Sequence, residues 1–305
     1  MHQNQIVMKE FKGESLIKFS NQFLDDSACK SYLAEIKWDD GFKCRKCGHG
    51  KATIRKNHIR TCTACHHNES PTAHTAFHKV KFGLQKAFFI TFEMVNSTKS
   101  LSASQVSKRY EISRKTAWLF MHKIRRVMKS SEQYPMEGTV QVDEFTIGGK
   151  EKGKQGRSYD TKKKKIVGAV ELSDNGGIKR VYSIRIDDYS SKSLKRLFEK
   201  FISVNAKVKT DNWKGYRPIK KSYDITQELS NSGLSMPEMH IVIHQIKSWI
   251  RTIYSWVHKD QVEHYLNEFS FRINRSQFKS SIFHKVMERV INGKHISYQE
   301  IIVPK

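Results

Sequence analysis

Two cysteine pairs constrain this chain more than any other feature. Cys44-x2-Cys47 and Cys62-x2-Cys65 stand fourteen residues apart. Each pair can grip one side of a tetrahedral Zn(II), and the stretch between them can form a hairpin that brings the pairs together. Gly48 and Gly50 supply a tight turn after the first pair, and Ile54 to Ile59 can supply strand. The spacing predicts a structural zinc ribbon. Two disulfides are the competing reading. Met1 to Phe11 is polar, without the apolar core of a secretory leader, so a reducing cytoplasmic setting is expected, where thiolates bind metal instead. His66 and His67 follow the second pair, but four cysteines already close the site. The fifth cysteine, Cys29, lies in an amphipathic helix candidate and reads as a small core residue.

Charge narrows the partners. The 305 residues carry Lys+Arg 55 against Asp+Glu 30, a formal net charge of +25. A balance this basic calls for an acidic partner, nucleic acid or an anionic membrane surface, with mere solubility as the bland alternative. No apolar run approaches the roughly 18 residues of a membrane span. From 99 to 129 there are nine basic residues and one acid, Glu111. Within this stretch Ser102 caps one short helix, Glu111-Ile112 turns, and Ser113 caps a second from Arg114 to Arg126. Two short helices and a tight turn are the helix-turn-helix layout, with Arg114 and Lys115 in the first turn of the reading helix. Lys123, Arg125 and Arg126 are further candidate DNA contacts. His66 and His67 are expected to face solvent or DNA. A helical hairpin with a solvated basic face is the competing reading.

Beyond a polar linker at 130–138 the pattern changes. Thr139–Ile147, Ile166–Val170 and Ile178–Ile186 read as strands, Ser190–Phe201 as an amphipathic helix, and Ala206–Asp211 as a strand ending in an acid. That order resembles a ribonuclease H-like core. Residues 239–256 and 259–275 read as helices, with Trp249, Tyr254 and Trp256 expected in the core. Asp143 lies inside a strand, where a charge is costly unless it binds something. Asp211 closes another. Carboxylates from separate elements are what Mg(II) or Mn(II) ions need for phosphoryl transfer. Alternation puts Glu144 on the face opposite Asp143, which suggests a structural or supporting role. Gly148, Gly149 and Lys150 begin a basic turn suited to phosphate.

These motifs, together with Asp211-Asn212-Trp213-Lys214-Gly215-Tyr216 and Tyr265-Leu266-Asn267-Glu268-Phe269-Ser270-Phe271-Arg272, resemble in order the DDE-type insertion-sequence transposases with an N-terminal zinc ribbon, the ISXO-like branch. The resemblance runs from about 23 to 278. It implies a retroviral-integrase-like catalytic domain, terminal-inverted-repeat DNA as substrate, and transposition through free 3′-hydroxyl ends in a bacterial or archaeal cytoplasm. It also implies at least a dimer on DNA, and Asp143 and Asp211 match its first two catalytic positions. The third position, a Glu in the plain pattern, departs here. His240 stands seven residues before Lys247, about 700° of helix and so within about 20° of the same face. Glu238 falls on the opposite face. The resemblance implies a basic residue seven positions after the third ligand, and its branches vary at that position, Asn and His included, so His240 is the expected third ligand, with Lys247 as a backbone contact and His244 and Gln245 as weaker alternatives. The organisation expected is α+β multidomain: helices and ribbon at 1–78, helix-turn-helix at 79–135, catalytic domain at 136–285, and a tail at 286–305.

Overall fold

Side-chain caps set the helix starts that the sequence marks. Ser15 and Asp25 accept backbone N–H bonds at the starts of α1 (Leu16–Gln22) and α2 (Asp26–Lys37). Three short strands, β1 (Ala52–Ile54), β2 (Arg60–Cys62) and β3 (Asn68–Glu69), pair antiparallel in sequence order. Then come α3 (Leu84–Asn96), α4 (Ala103–Tyr110) and α5 (Arg114–Val127). Ser102 and Gln105 form a reciprocal capping box on α4, and Ser113 caps α5. The computed structural model describes residues 10–97, 99–149, 151, 152, 158, 161–229 and 235–302. They divide into two compact units, Met1–Met128 with Gln277–Lys305, and Lys129–Ser276.

The first unit differs from the expected boundaries. The segment expected as the end of the catalytic domain and a tail supplies α9 (Ile282–Asn292) and α10 (Tyr298–Ile302) to the N-terminal unit. Phe283 gives the reason. Its ring lies 4.8 Å from Phe19, 5.6 Å from Phe88, 5.7 Å from Phe23 and 5.9 Å from Phe11, all centroid to centroid. Edge-to-face packing of this kind adds to the burial of large aromatic area. The helix is buried at Ile282, Phe283, Val286, Met287, Val290 and Ile291, an amphipathic period with no cover of its own.

The second unit is a five-stranded mixed sheet with helices against it. In sequence it runs β4 (Thr139–Ile147), β5 (Lys164–Leu172), β6 (Ile178–Ile186), α6 (Ser191–Phe201), β7 (Lys207–Asp211), β8 (Asp224–Glu228), α7 (Pro237–Ile253) and α8 (Val262–Ile273). Strand order is β6-β5-β4-β7-β8. The first three strands pair antiparallel, while β4–β7 and β7–β8 are parallel. Val140 and Val142 belong to one apolar layer with α6 residues Leu194, Leu197 and Phe198. Phe145 and Ile147 belong to the other, with Met239, Val242 and Ile246 of α7. The valine-rich run of β5 is buried because both sheet faces are covered. Trp249 and Tyr254 pack against the second layer as expected. Trp256 does not: it is 69% exposed, beyond the end of α7, with Lys164 Nζ 5.5 Å from its ring centroid.

Glu171 holds one end of this sheet. It is fully buried, bonded to the Arg180 guanidinium, 3.3 Å from Lys179 Nζ, and accepts from the backbone N–H of Glu137 at 3.3 Å. Burial would raise its pKa, but the bonds from Arg180, the Glu137 amide and Lys179 outweigh it and hold the carboxyl below its usual range. A depressed folded pKa adds stability that is complete above the unfolded value, about 4.3, and lost as pH falls through the folded value. Glu171→Ala should cost about 3 kcal/mol, the low end for a broken buried pair because Lys179 and Arg180 keep some solvent. Urea unfolding at pH 7 and pH 3 checks this, since the wild-type advantage should shrink at the lower pH.

Candidate active site and zinc centre

The two cysteine pairs meet. Cys44 Sγ lies 3.6 Å from Cys65 Sγ, and Cys47 Sγ 3.6 Å from Cys62 Sγ. All four sulfurs fall within 4.8 Å of one another. Tetrahedral Zn–S bonds of about 2.3 Å place sulfurs about 3.8 Å apart, so the set fits the ion. The pairs sit on two matching turns. Gly48 N–H donates to Cys44 O at 2.8 Å, and His66 N–H to Cys62 O at 3.1 Å. Both turn residues are left-handed, φ 77° at Gly48 and 56° at His66, a conformation glycine adopts freely and other residues seldom. His66 is exposed and His67 half-buried, and neither joins the sulfur cluster. The ribbon is tied to α2 by Glu69, 2% exposed, whose Oε1 lies 2.7 Å from Lys37 Nζ.

In the second unit the acids converge where a strand runs out. The β4–β7 pairing extends only to Val142↔Thr210, so the next residues of β4 have an open edge. Asp143 and Glu144 do start toward opposite layers, as alternation requires. Asp211 closes β7, and one oxygen from each of Asp143, Glu144 and Asp211 falls within 4.8 Å of the others. Glu144, read from alternation as a structural or supporting residue, thus lies beside both aspartates. Asp143 Oδ1 accepts the Glu144 backbone N–H at 2.8 Å, and Asp211 Oδ1 accepts that of Trp213 at 3.1 Å. These bonds restrict the rotamers of both aspartates.

His240 arrives from α7. Its Nε2 lies 3.8 Å from Asp143 Oδ2 and has no hydrogen-bond partner. The helix is aimed by a residue the sequence reading missed. Gln141, 4% exposed on β4, accepts the Met239 N–H at 2.9 Å and donates to Glu238 Oε2 at 2.6 Å. The side-chain amide thus caps α7 where Met236 has no cap of its own and turns Glu238 away from the acids. Gly168, opposite Asp143, permits the approach: a Cβ there would stand 2.8 Å from Met239 Cε. Lys247 is half-buried, with Nζ 5.7 Å from the Phe145 ring centroid. Burial lowers its pKa, while the Asp143 carboxylate pulls the other way. His244 and Gln245 are exposed.

Tyr216 was also missed as a site residue, although its motif was read. It is fully buried, and burial together with the charges of Glu144, Asp143 and Asp211 pushes its phenol well above the usual range. The phenol therefore stays protonated beside the acids. The only signals were its place five residues after Asp211 and the Gly215 beside it.

The basic candidates separate. Arg114 and Lys115 are exposed in the first turn of α5, whereas Lys123 is half-buried. Arg126 donates to Glu300 O at 2.9 Å. Arg125 is 1% exposed and takes no part in an outer surface, a correction to its reading as a DNA contact. It shares the helix face of Met121 and Met128, which points inward. Lys150 lies outside the described residues, as does most of the basic turn that follows it.

Two family models match the chain. A transposase zinc-ribbon domain covers residues 24–68, and an ISXO2-like transposase domain covers residues 135–274. No curated protein matches closely enough to serve as a relative. The two domains, in this order, identify a transposase of the ISXO-like kind with an N-terminal zinc ribbon, as the resemblance implied. Among the described residues no helix is long and apolar enough to cross a membrane.

Proposed function

We propose that this transposase binds the terminal inverted repeats of its element and cleaves and joins DNA strands with divalent ions held by Asp143, Asp211 and His240. The observation that carries this is one oxygen from each of Asp143, Glu144 and Asp211 within 4.8 Å of the others, with His240 Nε2 3.8 Å from Asp143 Oδ2. The strand order supports a ribonuclease H-like reading of the second unit. The capped α4–α5 pair and its exposed Arg114 and Lys115 support a helix-turn-helix reading of the first. Two element ends must be held together for joining, so the working form is a dimer or larger.

Hard oxygen donors fit Mg(II) or Mn(II), and the softer imidazole favours Mn(II). When bound, such ions activate the attacking water or 3′-hydroxyl and neutralise charge at the phosphate. The chain's own residues do the rest. Asp143 and Asp211 present fixed carboxylate oxygens. Gln141 aims His240 through the first turn of α7. Lys247, poorly solvated on the same helix face, pairs with a phosphate of the cut strand.

Purified protein with element-end DNA should nick at the 3′ end with Mn(II) faster than with Mg(II), and not at all with chelator. His240→Ala should lower the rate about 10- to 100-fold, and His240→Glu should move the preference toward Mg(II). Tight binding of the ends with no nick under either ion would leave a DNA-binding protein and sink the reading.

A further inference from the structure

The zinc-ribbon unit holds a cavity that neither the sulfur cluster nor the carboxylate site uses. It measures about 310 Å³ and lies between residues 78–82 and α5. Its apolar lining includes Phe82, Leu119 and Phe120, with the two rings edge to face at 5.2 Å. Its charged lining is cationic, with Lys79, Lys81 and Lys123 and no carboxylate among the described lining residues.

Three observations show a built site. Lys123 is half-buried, and desolvation lowers its pKa against the opposing pull of Glu300, so an anion brought beside it would stabilise its charge. Lys79 holds φ 55°, a left-handed conformation that a lysine seldom takes. The segment carrying it is braced by His78, whose ring stands 5.8 Å from His74 and 5.0 Å from His295. A purely apolar ligand would leave the lysines unused. Inorganic phosphate would leave the aromatic lining uncovered. A nucleobase joined to a phosphate uses both, through ring stacking and charge pairing. The volume is at the small end of ligand cavities, about 300–1,000 Å³, room for one nucleotide and not for a duplex.

We propose that this cavity binds a single unstacked nucleotide, its base against Phe82 and Leu119 and its phosphate among Lys79, Lys81 and Lys123. A net charge of +25 on a chain with transposase domains favours a DNA strand as the source over a free nucleotide or an acidic peptide.

Equilibrium dialysis of the full chain with labelled dAMP tests this. Saturable one-to-one binding is expected, with deoxyadenosine and inorganic phosphate each at least tenfold weaker. Leu119→Trp, which fills the cavity, should weaken dAMP binding at least tenfold. Lys81→Glu should act in the same direction, and as an exposed position it leaves the melting temperature unchanged. Leu119→Trp should also weaken a short single strand more than the paired duplex of the same sequence. Loss of dAMP binding with the single strand unaffected would overturn DNA as the source and leave the free nucleotide. Phosphate binding as tightly as dAMP, indifference to both substitutions, or tighter competition by an acidic peptide would each overturn the nucleotide site.

Discussion

Asp143→Asn should abolish strand cleavage while leaving the protein folded and slightly more stable. Asparagine keeps the shape and the side-chain oxygen that accepts the Glu144 N–H, now 2.8 Å from Asp143 Oδ1. What it removes is charge. Three carboxylates within 4.8 Å of one another repel unless a cation lies among them. Without metal, that repulsion is a cost the fold carries for a function proposed to need it. Without added Mg(II) or Mn(II), and with zinc left in place, the substitution should therefore raise the melting temperature of the sheet unit by a few degrees, about 1 kcal/mol. It should lower cleavage at least a thousandfold, about 4 kcal/mol in the barrier. Opposite signs for activity and stability are expected of residues kept for chemistry. A single-turnover cleavage rate and a thermal melt of the zinc-loaded protein without added Mg(II) or Mn(II) suffice to check both. A variant that melts lower and cleaves normally would make Asp143 a structural residue.

The sequence made much of this site legible, and its failures have local causes. Asp143 and Asp211 stood out because an acid inside a strand demands an explanation. His240 followed from the resemblance, whose third position stands seven residues before a basic one, with helical period as support, and its Nε2 lies 3.8 Å from Asp143 Oδ2. The closeness of Glu144 to the two aspartates was not legible, because alternation describes where a side chain leaves the backbone, not where its carboxylate ends. Gln141 was not seen because it acts through a partner distant in sequence, Met239, and Tyr216 because folding brings it to the charges of Glu144 and Asp143, about seventy residues away. Period and capping gave the helices α4 to α8 their places, while β8 was unread, since Asp224–Glu228 is short and polar. The last segment was assigned to the wrong unit because amphipathic spacing shows that a helix needs cover without showing which core provides it. Phe283 settles that through contacts with residues more than 190 positions away.

Removing zinc should melt the ribbon and spare the sheet unit. The apolar cluster at the metal is small, consisting of Ala34, Trp38, Phe42, Cys44 and Cys62, so two of its five buried members are ligands themselves. A core of that size cannot meet the entropy of ordering about 45 residues at about 1–2 kcal/mol each in backbone freedom. Structural zinc supplies about 10–16 kcal/mol in comparable small modules. Once the sulfurs are released, Glu69 and Lys37 must also leave a buried pair or strand it. The layers about β4, by contrast, are built from residues of the second unit alone, Met136 to Phe269. Chelation, or Cys62→Ser, should therefore collapse hydrogen-exchange protection over residues 44–69 while β4, β5 and β7 keep theirs. Binding to element ends should weaken at least tenfold in the same samples, and readdition of Zn(II) should restore both in the wild type but not in Cys62→Ser. If protection over 44–69 survived complete zinc removal, the four cysteines would not be the element that holds the ribbon together.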